Sequence, residues 1–104
     1  MSKFVLAYNS GGAPPPVTPA EQDRVMAEWT AWFGTLGSDL IDPGNPFGAG
    51  KSVAADGSVT EATGKLSGYS IVNAASLDAA TGTAKGCPVL ADGGSVDVYE
   101  AIDM

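Results

Sequence analysis

From Lys3 to Tyr8 successive side chains alternate between two sides of an extended chain. Phe4, Leu6 and Tyr8 fall on one side, Val5 and Ala7 on the other. A period of two predicts a strand with a core face. Asn9 to Pro16 (N-S-G-G-A-P-P-P) breaks the pattern: its glycines permit unusual dihedrals and its prolines stiffen it towards polyproline II. The period then changes. Val25, Trp29, Trp32, Phe33 and Leu36 recur at helical spacing and form one apolar stripe. Thr18 can cap that helix, Pro19 suits its first position, Glu21 completes a capping box, and Gly37 can end it. Asp23, Arg24 and Glu28 lie off the stripe.

Downstream the elements are shorter. A strand is expected near Leu40 to Asp42, followed by the turn-rich Pro43 to Gly50. Lys51 to Ala54 and Ser58 to Thr60 flank Ala55-Asp56-Gly57, and an Asp-Gly pair signals a hairpin. Glu61 to Ser67 is polar and reads as loop, and Gly68 to Asn73 as a buried strand built on Tyr69, Ile71 and Val72. Ser76 can cap a second helix running to Gly86, with Leu77, Ala80 and Ala84 inward and Gly82 costing about 1 kcal/mol relative to alanine. Gly93-Gly94 is a turn. Ser95 to Met104 reads as the last strand, with Val96, Val98 and Ile102 alternating. Two βαβ-like halves around an antiparallel sheet predict an α+β, ferredoxin-like sandwich with both helices on one face.

With 104 residues the chain is expected to be one domain, residues 1–104. Its modest apolar core makes a homodimer the expected state. A net charge of −7, with five scattered basic residues, disfavours a phosphate backbone or an anionic membrane as partner. No apolar run approaches the length of about 18 residues that a membrane span needs, and the apolar stretch at the N-terminus is too short for a secretory signal. With one cysteine, Cys87, no internal disulfide can form. A reduced, cytoplasmic setting fits these features.

The absence of histidine narrows the chemistry most. It removes the usual general base at neutral pH, every Ser-His or Cys-His nucleophile and most zinc sites. No metal and no cofactor is expected, and acid–base work would fall to a carboxylate, tyrosine or lysine. Gly44 to Ser52 looks like a phosphate-binding loop, but Asn45 stands where that motif needs glycine, Pro46 removes an N–H donor, and a strand follows Lys51 where a helix is required. It reads as a structural loop. Cys87 follows a helix C-terminus, which favours a buried structural thiol over a reactive one. Asp39 reads as a turn residue. Asp42 is either a strand-end turn residue or a weak catalytic candidate. Two tryptophans are hard to bury fully in so small a domain, so one is expected to line a cavity or an interface.

Several segments together resemble the YCII-related family, in particular its branch of DGPF-domain proteins. They are Phe4 to Tyr8, Thr18 to Gln22, Leu66 to Val72, Lys85-Gly86-Cys87-Pro88-Val89-Leu90, Gly93 to Val98 and the ending Ala101 to Met104. The resemblance implies a ferredoxin-like subunit that pairs as a dimeric α/β barrel, with a cleft near the first helix and the strand after it. It also implies a histidine–aspartate pair for proton transfer. Trp29 stands at the position matching the histidine, and Asp42 matches the aspartate. The Asp-Gly-Pro-Phe stretch is replaced by Thr60-Glu61-Ala62-Thr63-Gly64.

Two functions follow from these features. One is a non-catalytic dimeric module that binds a small apolar or aromatic molecule, or a protein partner, with Trp29, Asp42, Tyr8 and Tyr69 at the site. The other is a small-molecule enzyme using Asp42 for proton transfer, with Tyr69 or Tyr8 assisting. They separate on whether the Asp42 carboxyl faces a closed cleft or belongs to a turn.

Overall fold

The computed structural model describes residues 2–10, 18–62 and 66–103. In chain order the elements are β1 (Ser2–Asn9), α1 (Pro19–Leu36), β2 (Leu40–Asp42), β3 (Lys51–Val53), β4 (Val59–Glu61), β5 (Leu66–Ala74), α2 (Leu77–Ala84) and β6 (Ser95–Ala101). Strands β2, β5, β1 and β6 lie side by side in that order, every neighbouring pair antiparallel. β1 and β2 therefore run parallel, joined by α1, and β5 and β6 run parallel, joined by α2 across the intervening β1. This is the ferredoxin-like α+β fold, with the β3–β4 hairpin as a separate two-stranded sheet.

The period-two reading of β1 sets the layers. Phe4, Leu6 and Tyr8 are buried, and opposite them on β5 so are Ser70 and Val72. Both helices cover this face, through Trp32 of α1 and Ala80 and Ala84 of α2. The small α2 residues let that helix approach closely. At the start of α1, Thr18 Oγ1 accepts from Glu21 N–H at 3.2 Å. At its end Gly37 takes φ +56°, a conformation that other residues adopt only under strain.

Three boundaries differ from the sequence expectation. β5 begins at Leu66, inside the stretch read as loop, because Asn9 of β1 pairs with Leu66 across a bulge. The polar Ser67 fits there by donating from Oγ to Tyr8 O at 3.3 Å. The expected loop residues 63–65, like 11–16, lie outside the described residues. α2 stops at Ala84, and Leu77 in its first turn is exposed rather than inward. β6 ends at Ala101, where its pairing with β1 runs out, so Ile102 extends past the sheet edge and is exposed.

The far face of the sheet carries Val5, Ala7, Tyr69, Ile71 and Tyr99 by strand alternation, and among the described residues no helix covers it. The hairpin is likewise exposed throughout, as are all residues from 45 to 62. The molecule is accordingly a slab of 43 × 43 × 19 Å with a radius of gyration of 15.0 Å, against about 13 Å for a compact chain of this length.

Candidate functional site

A cleft of about 460 Å³ opens between α1, the loop after β2, and the adjoining ends of β1 and β5. The helix supplies Val25, Trp29 and Phe33 from its apolar stripe, and Met26 and Thr30 from the neighbouring row. Tyr8 belongs to the sheet side. Its ring meets Trp29 edge-on at 4.9 Å between centroids, and Trp29 contacts Phe33 at 5.7 Å. The two tryptophans, 5.7 Å apart, have divided roles. Trp32 is buried in the core, whereas Trp29 is half-buried and borders the cleft. Residues three apart on a helix share a face and diverge by only about 60°, so both rings belong to the apolar stripe, with Trp32 packed in the core and Trp29 at the stripe's edge beside the opening.

The opposite wall is the loop Pro43-Gly44-Asn45-Pro46. Ser70 Oγ donates to Pro43 O at 2.6 Å, Phe47 N–H donates to Ser67 O at 2.9 Å, and Pro46 forms a bridge with Gly68. Gly44, at φ +74°, runs so close to β5 that a Cβ there would sit 1.7 Å from Tyr69 O. The loop is thus tied to β5 along its length. Its two prolines further restrict it.

Asp42 belongs to this loop rather than to the cleft. Its Oδ1 accepts the Gly44 N–H at 2.8 Å, the Asx turn by which an aspartate shapes the chain two residues on, and it is not among the residues bordering the opening. Of the four residues expected at the site, the structure brings Tyr8, Trp29 and Tyr69 to the cleft and sets Asp42 behind its wall. Tyr69 borders the cleft where Gly44 presses on its main chain, while its ring stacks on Phe47 at 5.7 Å. That ring lies on the uncovered face, opposite to Tyr8, because Tyr69 pairs with Ala7. Asp39 is exposed at the end of a 3₁₀ turn.

The Tyr8 side chain is 5% exposed and its hydroxyl has no hydrogen-bond partner. Burial drives its ionisation far above the ordinary tyrosine range, with the nearby Ser70 hydroxyl easing the shift and Cys87 adding to it. Burial also pushes the Cys87 thiol up to about 11, against the Val89 N–H, which favours the thiolate. A buried, protonated thiol is a poor nucleophile. Lys51 pairs with Glu61 directly across the hairpin, and both are exposed. Among the described residues no three His, Cys, Asp or Glu side chains gather as a metal site would require, and no helix is long and apolar enough to cross a membrane.

A family model for the YCII-related domain matches residues 4–104. The chain belongs to the YCII-related family. No curated protein sequence matches it. The YCII-related assignment agrees with the observed strand order, and the fold is that of a ferredoxin-like, dimeric α/β barrel family. Sequence reading missed Met26, Thr30 and the Pro43–Pro46 wall of this YCII-related cleft. The first two were legible in principle: Met26, Thr30 and Phe33 share helical spacing one row from Val25 and Trp29. The loop was foreseen only as a turn-rich structural loop, since its place against β5 depends on contacts remote in sequence.

Proposed function

We propose that this YCII-related domain, one domain over residues 1–104, binds a small apolar or aromatic molecule in the cleft beside α1. One observation carries the reading: a partly exposed tryptophan stands in an opening walled by Phe33, Val25 and Met26 and backed by a rigid proline loop. Apolar pockets of a few hundred cubic ångströms with few polar groups are the usual form of small-molecule sites. Catalysis by Asp42 has weaker support, because its carboxylate is engaged in the turn behind the wall and no histidine stands near it. The test is a titration with 2-ethylnaphthalene followed in the ¹⁵N–¹H spectrum. The Trp29 indole resonance should move in a saturable way while that of the buried Trp32 stays nearly fixed. Equal displacement of both, or of neither, refutes the site.

The same reading includes a homodimer built on the uncovered sheet face. Ile41 and Tyr99 are exposed there, flanking the partly covered Val5 and Ile71. The chain's accessible surface is 6871 Å², about 1,500 Å² more than a compact monomer of this mass would show, and each partner in an ordinary stable interface buries about 800 Å². The cleft lies on the helix side, so pairing leaves it open. Light scattering at micromolar concentration should give twice the 10.4 kDa chain mass. A monomer under those conditions contradicts the proposal.

A further inference from the structure

The chain carries three methionines and one cysteine, and it places two of these sulfur atoms in opposite settings. Cys87 is 3% exposed and burial keeps its thiol protonated. Both features protect it, because cysteine oxidation follows thiolate character and access. Met26, on α1, is 66% exposed. Met1 and Met104 lie outside the described residues. Met26 also belongs to the cleft. Val25, Met26, Trp29, Thr30 and Phe33 all border it, and on a helix these five positions form one continuous face. The thioether therefore stands one turn from Trp29, on the wall that an aromatic ligand covers and within reach of small oxidants in solution. Oxidation turns a flexible apolar methionine into a polar sulfoxide, and the change is reversible.

We propose that Met26 is a redox-modification site whose oxidation weakens ligand binding in the cleft. This rests on the cleft being the binding site. The oxidant is a peroxide. A lone pair of the Met26 sulfur attacks one peroxide oxygen, an S–O bond forms and the O–O bond breaks. The thioether is oxidised to the sulfoxide, and hydrogen peroxide is reduced to water. The new oxygen is a strong acceptor that holds water, and an apolar ligand laid against it would strip that water and offer no donor in return. Because Met26 lies outside the core, the modification acts on the ligand and leaves the fold intact.

The experiment treats wild type and Met26→Leu with increasing doses of hydrogen peroxide and follows oxygen addition at Met26 by peptide mass spectrometry. Equilibrium dialysis then measures 2-ethylnaphthalene. Wild type oxidised at Met26 should bind about fivefold more weakly than untreated protein, the effect of losing part of one side chain's apolar contact. Treatment with methionine sulfoxide reductases for both sulfoxide epimers should restore the affinity. Met26→Leu, whatever its own affinity, should show the same value before and after peroxide. The melting temperature of oxidised wild type should stay within a few degrees of untreated protein, as for other exposed surface changes. Unchanged binding after oxidation at Met26, an equal loss in Met26→Leu, or a Met26 that resists peroxide overturns the proposal and leaves the cleft as a binding site. A large drop in melting temperature overturns it as well, since the loss would then come from unfolding. If untreated wild type does not bind 2-ethylnaphthalene, the cleft reading itself is wrong and this inference falls with it.

Discussion

Gly44→Ala should destabilise the protein by about 2–4 kcal/mol and weaken aromatic ligands at least tenfold. The added Cβ would lie 1.7 Å from Tyr69 O and 2.6 Å from Tyr69 C. Both are main-chain atoms of β5, a strand held on both sides by β1 and β2, so neither can swing aside as a flexible side chain would. The residue also sits at φ +74°, where alanine is strained by about 1 kcal/mol or more. The relief available is for the loop to lift away from β5. That movement sacrifices the bonds from Ser70 Oγ to Pro43 O and from Phe47 N–H to Ser67 O, each contributing about 1 kcal/mol. Urea denaturation measures the loss, and dialysis with 2-ethylnaphthalene measures the damage to the cleft wall. Asp42→Asn is the control. It keeps an oxygen that can accept the Gly44 N–H and should unfold close to wild type. A Gly44→Ala protein within about 0.5 kcal/mol of wild type would show that the loop is not tied to β5 as described.

The second large effect separates the two tryptophans. Trp32→Ala should cost about 3–5 kcal/mol, the usual range for a packed aromatic, because the ring fills the space between α1 and the sheet. Trp29→Ala should cost clearly less, since part of that ring already faces water, yet it should abolish binding of a naphthalene-sized molecule. Trp29→His is expected to fold with a modest loss, whereas Trp32→His places a polar ring in the core. Thermal melts of the four variants, paired with dialysis, decide the matter. Should Trp29→Ala be the more destabilised of the alanine pair, its ring is core and the cleft loses its main wall.

Legibility in the sequence followed the range of the interactions concerned. Thr18, Pro19 and Gly37 marked α1 because capping and helix termination are decided within a few residues. Phe4, Leu6 and Tyr8 marked the buried face of β1 because alternation is a property of the strand itself. Leu66 and Ser67 were misread as loop, since their strand identity comes from β1, almost sixty residues earlier in the chain. The aromatic half of the cleft was similarly visible from helical spacing, and the loop wall was not. Nothing around Ser70 in the sequence says that its Oγ will donate to Pro43 O.

The central position of β1 has a kinetic consequence. Residues 2–9 form one of the two inner strands, and their partners are residues 66–74 on one side and 95–101 on the other. Among the described residues before β5 no other strand pairs with it in the sheet. The core therefore cannot nucleate on a local hairpin. Chain entropy must be spent on closing loops of dozens of residues before Phe4 and Leu6 meet Val72, and topologies of this kind fold slowly for their size. The local hairpin of β3 and β4 can form early but buries nothing, so it offers the search for the native sheet no foothold.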